Sequence, residues 1–202
     1  ARHSSDHRDT PWHKLTLLDP LAGGGTTLFV GMTLGADVAG VENDKKAVEG
    51  TVAFLKNFAK EARVSVSFRD DKFKGTGRRW FAEVKGGPRC SIGRGDTVDV
   101  AAFVNGLKRP QLIVTDLPYG IQHSEDEGAL LVSALPAWAE VLADGGALAF
   151  AWDATRFPRP EMIALVEAVS DFRVIDTPPY DQLAHRVDRV IKQRDVIVAR
   201  RG

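Results

Sequence analysis

Short apolar runs alternate with longer amphipathic segments along most of the chain. The short apolar runs at 15–19 and 111–116 predict buried strands, and the run at 37–44, which ends in acids, predicts another strand. Helical spacing in steps of three and four over residues 45–62 predicts a helix with one buried face, formed by Val48, Val52, Leu55, Ala59 and Ala62. Similar patterns predict helices at 26–34, 98–107, 127–143 and 159–169, and strands at 89–96, 146–153, 172–177 and 195–201.

Residues 63–88 interrupt this rhythm. The segment RVSVSFRDDK alternates with period two, and RRWFAEVKG does so more loosely after a glycine-bearing loop, so the sequence predicts an inserted β-hairpin. Residues 1–12 are polar and irregular, and we expect an N-terminal arm or lid. Strands that alternate with helices predict a single α/β domain over residues 1–202, with a mostly parallel sheet covered by helices on both faces.

The amino-acid composition narrows the classes of protein to which the chain can belong. The chain has 202 residues, 44% hydrophobic and 27% charged, which is typical of one globular core. Its formal net charge is zero, so binding to nucleic acid requires a local basic patch. The single cysteine, Cys90, excludes an intramolecular disulfide, disfavours a cysteine-based metal site and suits a cytoplasmic location. No apolar run reaches the roughly 18 residues of a membrane span. Because the chain begins with Ala1, an upstream domain or a partner subunit is compatible with the sequence.

Acidic residues mark the ends of five predicted strands. Clustered carboxylates repel one another and lose hydration, so a sheet with no ligand has no need of them. In parallel α/β sheets the ligand lies at the carboxyl ends of the strands. The pattern therefore indicates a ligand site near some or all of Asp19, Glu42, Asp96, Asp116 and Asp153.

The loop 19-DPLAGGGTT-27 connects a predicted strand to a predicted helix, and its glycines allow a ligand to approach the backbone closely. It has no lysine for a triphosphate-binding loop, and Leu28 replaces the third glycine of a dinucleotide-binding loop. Asp19 would repel a pyrophosphate but would attract an amino group. Glu42, 17 residues after Gly25, can accept hydrogen bonds from both hydroxyls of a ribose.

Four segments in order, DPLAGGGTT, AGVEND, RGDTVD and TDLPYG, resemble the motifs of class I S-adenosylmethionine-dependent methyltransferases over residues 13–155. The resemblance implies a Rossmann-like fold with a seven-stranded sheet, and S-adenosyl-L-methionine as cofactor. It places Asp19 and the glycines at the amino-acid end, Glu42 at the ribose and Asp96 at the adenine amino group. The cofactor-binding residues that it implies are Asp19, Gly23, Gly25, Thr26, Glu42, Asn43, Asp96, Thr97 and Asp116.

The segment 115-TDLPYG-120 suits methylation of an amino group whose lone pair is delocalised into a ring. Two acceptors must hold its hydrogens so that the nitrogen can become pyramidal, and we expect them to be the Asp116 carboxylate and the Leu117 carbonyl. Pro118 stiffens the turn, and Tyr119 can stack on an extruded base, which is worth roughly 1–3 kcal/mol. The similar fragment 176-DTPPYD-181 follows the sixth strand and is predicted to be only a turn.

The segment also resembles the Asp/Asn-Pro-Pro-Tyr/Phe motif of amino-group methyltransferases. Leucine at position 117, where proline is usual, makes the segment more similar to RNA guanine-N2 methyltransferases of tRNA and rRNA. The resemblance to those enzymes implies an upstream RNA-binding domain. Adenine N6 in RNA or DNA is the alternative substrate. A protein glutamine amide and a non-catalytic cofactor-binding subunit are further alternatives.

The predicted hairpin is rich in basic residues, and a second basic cluster lies at 185–194. Arginine and lysine beside aromatic rings can bind a phosphate backbone. We therefore expect RNA to contact the hairpin, through Arg78, Arg79 and Trp80 in particular. The other basic residues of this segment are Arg69, Lys72, Lys74 and Lys85.

Overall fold

The computed structural model describes residues 1–73, 77–118, 124–187 and 193–201. The chain divides into two compact units. We call Asp9–Pro110 the glycine-loop unit, and Ala1–Arg8 together with Gln111–Gly202 the Asp116 unit. The single methyltransferase domain expected over residues 1–202 stays a prediction. No helix in the described part of the chain combines the length and the apolar character needed to cross a membrane.

The described residues of the glycine-loop unit form a mixed sheet with three α-helices. Its strands are β1 (Thr16–Asp19), β2 (Asp37–Glu42), β3 (Val66–Phe73), β4 (Gly77–Val84) and β5 (Arg89–Arg94). Its helices are α1 (Thr26–Thr33), α2 (Lys45–Glu61) and α3 (Val100–Val104). The strand order is β3-β4-β5-β2-β1, with β1, β2 and β5 parallel. The predicted hairpin is confirmed as β3 and β4, and its antiparallel pairing with β5 makes it an extension of the sheet.

Helices cover both faces of this sheet because its central strands are apolar on both sides. An added Cβ on Gly31 of α1 would lie 2.7 Å from Val38 Cγ1, whereas one on Gly93 of β5 would lie 2.1 Å from the ring of Phe103 in α3. Alternate strand residues point to opposite faces, so these contacts lie on opposite sides of the sheet. Helix α2 begins after Asp44, whose carboxylate accepts a hydrogen bond of 2.7 Å from the N–H of Ala47.

Within its described residues, the Asp116 unit contains a second group of strands with two α-helices. Its strands are β6 (Leu112–Asp116), β7 (Ala147–Asp153), β8 (Phe172–Val174) and β9 (Arg194–Arg201). Its helices are α4 (Ser124–Val141) and α5 (Arg159–Val169). The order is β6-β7-β9-β8, parallel between β6 and β7 and antiparallel elsewhere. Trp138 and Trp152 are fully buried.

The first eight residues differ from the expected arm, because they pack within the Asp116 unit. The side chains of Ser4 and Ser5 are buried and donate to the carbonyls of Ala1 and Arg2 at 2.6 and 2.8 Å. The N–H of Asp6 donates to the carbonyl of Gly145 at 2.9 Å. Local hydrogen bonds satisfy the polar groups of this segment, so its polar composition did not reveal that it is packed.

Candidate functional site

Three of the predicted acids lie at one edge of the glycine-loop unit. Asp19 is the last residue of β1 and Glu42 the last of β2, and Asp96 follows the end of β5 by two residues. Because these strands are neighbours and parallel, their carboxyl ends meet at the same edge of the sheet. The sequence prediction of a common edge is confirmed for these three residues.

The glycine loop between β1 and α1 has one tightly packed position and two open ones. Gly25 adopts φ +80°, and an added Cβ would lie 2.6 Å from Thr51 Cγ2. An added Cβ on Gly23, at φ +49°, or on Gly24 would meet nothing within 4 Å. Gly25 is therefore required for packing between the loop and α2, whereas Gly23 and Gly24 leave space into which a ligand can come close to the backbone. Thr26 follows as the exposed first residue of α1.

Glu42 accepts hydrogen bonds from three loops at this edge. Its Oε2 accepts from the N–H of Gly23 at 2.9 Å, and its Oε1 accepts from the N–H of Asp44 at 2.7 Å. Its carbonyl accepts from the N–H of Gly95 at 3.1 Å. Each carboxylate oxygen has about two acceptor sites, so both oxygens keep capacity for a hydroxyl donor. This arrangement fits the predicted contact with a ribose diol.

The other predicted cofactor residues differ in burial. Asp19 is 3% exposed, and its Oδ1 accepts from the N–H of Leu21 at 3.1 Å. Asp96 is exposed and caps the turn before α3 by accepting from the N–H of Val98 at 3.1 Å. Asn43 is exposed beside Glu42, whereas Thr97 is buried. This edge therefore offers a buried carboxylate for a cation and exposed polar groups at its other end.

In the Asp116 unit, Asp116 is the last residue of β6 and its side chain is 39% exposed. Leu117 is buried, and its N–H donates to the carbonyl of Ala151 at 2.9 Å. A proline at 117 could not donate this hydrogen bond, so pairing with β7 and core packing both explain leucine here. Pro118 is exposed. Tyr119, Gly120 and the nearby His123 lie outside the described residues.

Sequence reasoning did not identify the partner of Asp116. Nη2 of Arg194, the first residue of β9, donates to Oδ2 of Asp116. The backbone of Arg194 is held by reciprocal hydrogen bonds with His185 at 2.8 and 2.9 Å. Arg194 lies at the end of the basic cluster noted in the sequence, but nothing in the sequence links it to a residue 78 positions away. Residues 188–192 of that cluster lie outside the described residues.

The hairpin arginines occupy different environments. The side chain of Arg79 is 7% exposed, donates to Asp71 Oδ2 at 2.8 Å and also donates to the carbonyl of Asn105. Arg78 is half-exposed, forms a bidentate pair with Asp70 and lies over the ring of Trp80, 4.6 Å from its centroid. The environment of Arg79 favours a structural role over the predicted phosphate contact, because its guanidinium is already buried and hydrogen-bonded.

These ion pairs also affect the acids of the hairpin. A hydrogen bond from Arg78 lowers the pKa of Asp70, and one from Arg79 lowers the pKa of Asp71. Both carboxylates therefore stay charged at neutral pH and offset part of the positive charge seen in the sequence. Lys74 lies outside the described residues.

The fragment 176-DTPPYD-181 forms a turn, as predicted. The N–H of Tyr180 donates to the carbonyl of Thr177 at 2.8 Å. Arg159 of α5 fixes the turn by donating to Asp176 Oδ1 and to the carbonyl of Tyr180, both at 2.9 Å. The contacts of this fragment are structural ones within the Asp116 unit.

Comparison with solved structures identifies the fold. TrmN from Thermus thermophilus matches with a TM-score of 0.56 and 19% identity, over 94% of this chain and 44% of that chain. An rRNA methylase from Streptococcus thermophilus matches with a TM-score of 0.58 and 10% identity, over 99% and 91%. SMU.1697c from Streptococcus mutans, in complex with SAH, matches with a TM-score of 0.55 and 13% identity, over 95% and 93%.

At these identities the likeness shows the fold alone, and it confirms the predicted Rossmann-like methyltransferase fold. The chain spans less than half the length of TrmN. No protein-family model matches the sequence, and no curated protein matches it significantly.

Proposed function

We propose that the chain is an S-adenosylmethionine-dependent methyltransferase that methylates an exocyclic amino group of a nucleic-acid base, with guanine N2 of tRNA or rRNA as the acceptor. The observation that carries this proposal is the edge formed by Asp19, Glu42 and Asp96 around an open glycine loop. The solved structure of SMU.1697c with SAH supports the choice of cofactor, since its fold is similar.

The groups at this edge match the parts of the cofactor in order. The buried carboxylate of Asp19 suits the amino group of the methionine part, beside the open positions Gly23 and Gly24. Glu42 has acceptor capacity for the ribose hydroxyls, and Asp96, with Asn43, suits the adenine end. When bound, the cofactor supplies an electrophilic methyl group on a sulfonium.

Asp116 and Leu117 act on the acceptor. The amino nitrogen of a base is a weak nucleophile because its lone pair is delocalised into the ring. The Asp116 carboxylate and the Leu117 carbonyl hold its two hydrogens, so that the lone pair turns towards the methyl group. With S-adenosylmethionine bound, its methyl group would pass from the sulfonium to the nitrogen, and Asp116 would receive the proton that the nitrogen then loses. Orientation supplies most of the rate enhancement, since the electrophile is already reactive.

The choice of RNA guanine rests on Leu117 and on the similarity to an rRNA methylase. The hydrogen bond between Leu117 and Ala151 explains the leucine structurally, so the resemblance to guanine-N2 enzymes is a motif likeness and requires a direct test. Adenine N6 is the second candidate, because the same pair of acceptors can hold any exocyclic amino group.

The test is acceptor identification. The protein is incubated with methyl-labelled S-adenosylmethionine and, separately, with total tRNA, rRNA, DNA or protein, and each product is digested to monomers. We expect the label in N2-methylguanosine from RNA. Label in N6-methyladenosine would select the second candidate. Label in methylglutamine, or in none of the four acceptors, would contradict the proposed function.

A further inference from the structure

A row of basic residues crosses the outer three strands of the glycine-loop unit. In the strand register, Lys72 of β3 lies opposite Arg78 of β4, and Arg78 lies opposite Arg94 of β5. Arg94 in turn lies opposite Glu42 of β2 in the strand register. Residues directly opposite on neighbouring strands share one face of the sheet, and the strands lie about 4.8 Å apart. The three cations therefore lie side by side on one face, next to the proposed ribose carboxylate.

This arrangement is unfavourable for the fold. Like charges directly opposite each other in a sheet are destabilising. On this face of β3, β4 and β5, Asp70 is the only acidic residue in the described part of the chain, and it forms the bidentate pair with Arg78. The carboxylate of Glu42 is directed to the N–H groups of Gly23 and Asp44. Glu49 of α2 also acts on Arg78, but it pairs with Lys45 at 3.8 Å, so a net positive row is left at the edge of the sheet.

The ends of the row are accessible. Lys72 and Arg94 are exposed, and neither forms an ion pair with an acid within the described ranges. Lys72 lies near enough to Asp70 to contribute to its lowered pKa, yet Arg78 is the larger cause. Two cations therefore remain available to an external anion.

The opposite face of the hairpin has a different character. Arg69 and Arg79 lie there, and both donate to Asp71. On the face of the row, by contrast, Trp80 lies directly beneath Arg78, and the two stack. A line of cations beside an aromatic ring is the combination that binds single-stranded nucleic acid without reading its sequence.

We propose that Lys72, Arg78 and Arg94 form a phosphate-binding row for the RNA substrate. The identity of the partner as RNA rests on the proposed function, whereas the affinity for phosphate rests on the charges of the row. This assigns Arg94, the first residue of the RGDTVD segment, to substrate binding and removes Arg79 from it.

The test measures RNA affinity separately from methyl transfer. Binding of a short fluorescein-labelled single-stranded RNA is followed by anisotropy over a range of salt concentrations. The double variant K72Q/R94Q is compared with R69Q/K85Q, which removes the same charge from the opposite face and from the far end of the hairpin. Arg78 is left intact because its pair with Asp70 supports the fold. Equal urea midpoints for both variants confirm that folding is retained.

We expect K72Q/R94Q to raise the Kd about tenfold or more, and to reduce the slope of log K against log salt by about 1.4, or about 0.7 for each lost phosphate contact. The R69Q/K85Q control should bind like the wild type, and K72R/R94K should restore binding. Equal losses of RNA affinity in both double variants, or an unchanged affinity in K72Q/R94Q, would contradict the proposed phosphate-binding row. The proposed phosphate-binding row would also be contradicted if the wild-type protein bound polyglutamate, or if it bound no RNA at all.

The two proposals fail separately. If RNA is methylated and K72Q/R94Q binds it normally, the row is wrong and the function stands. If RNA binding depends on the row but no methyl group is transferred to any RNA, the function is wrong and the row stands.

Discussion

Arg194 donates a hydrogen bond to the carboxylate of Asp116 across the intervening strand β7. The two residues belong to β9 and β6, and the side chains of both are partly exposed. Because an ion pair fixes one carboxylate oxygen, the direction of the other is fixed as well. We therefore expect Arg194 to act as a positioning residue for the proposed acceptor of the amino hydrogens.

Replacing Arg194 should impair catalysis more than binding. We expect Arg194→Met to lower kcat by about 10²-fold, because the carboxylate loses its orientation, while the Kd for S-adenosylhomocysteine stays unchanged. Arg194→Lys should restore part of the rate. Steady-state kinetics with RNA and calorimetry with S-adenosylhomocysteine measure the two effects. A wild-type kcat in Arg194→Met would remove this role.

The glycine loop offers a matched pair of substitutions. Gly25→Ala forces a side chain into φ +80° and against Thr51, so we expect a loss of about 1–3 kcal/mol in the free energy of unfolding. Gly24→Ala places its methyl group in open space and should leave that free energy unchanged. Urea denaturation of both variants gives the comparison. Equal stability would show that the tight contact with Thr51 is absent in solution.

Glu42 should contribute to cofactor binding through its charge. Glu42→Gln keeps the size of the side chain but loses the carboxylate that accepts from Gly23 and Asp44. Since hydrogen bonds to charged groups are worth about 1.5–3 kcal/mol, the Kd for S-adenosylhomocysteine should rise about 10- to 100-fold. The control is Glu49→Gln, an exposed carboxylate whose pair with Lys45 spans 3.8 Å, and it should bind normally. Calorimetry that gives the same Kd for both variants would exclude the ribose contact.

Arg79 should matter for stability. Arg79→Gln removes a buried guanidinium that donates both to Asp71 and to the carbonyl of Asn105, at a cost of about 1–3 kcal/mol. Arg69→Gln, at an exposed pair with the same Asp71, should have no measurable effect. Urea midpoints at pH 7 test this difference, and a normal midpoint for Arg79→Gln would contradict it.

The contribution of Arg79 to the stability of the fold should also depend on pH. Because its hydrogen bond lowers the pKa of Asp71 below the ordinary 3.8, the pair stabilises the folded state above pH 3.8. That contribution is lost as the pH falls through the lowered value. The difference between wild type and Arg79→Gln should therefore shrink in acid.

Strand ends could be predicted because they follow from strong local signals. Asp19, Glu42 and Asp116 each end an apolar run, and the structure ends a strand at each of them. The hairpin was equally clear from its period of two. These features depend on residues that are neighbours in the sequence.

Features that depend on distant residues could not be predicted. The burial of Arg79 arises because β4 also pairs with β5, which brings Asn105 within reach. Arg94 joins the basic row only through its register with Arg78. The contact between Asp116 and Arg194 has the same origin, since it requires both strand order and register.

The most direct test of the account is single-turnover transfer of a labelled methyl group to RNA by Asp116→Ala. The matched control is Asp153→Ala, which removes a carboxylate from the end of the neighbouring strand β7. We predict that Asp116→Ala slows transfer at least about 100-fold, keeps its Kd for S-adenosylhomocysteine within about twofold, and that Asp153→Ala transfers normally. Undiminished transfer by Asp116→Ala would contradict the proposed role of this carboxylate and the mechanism built on it.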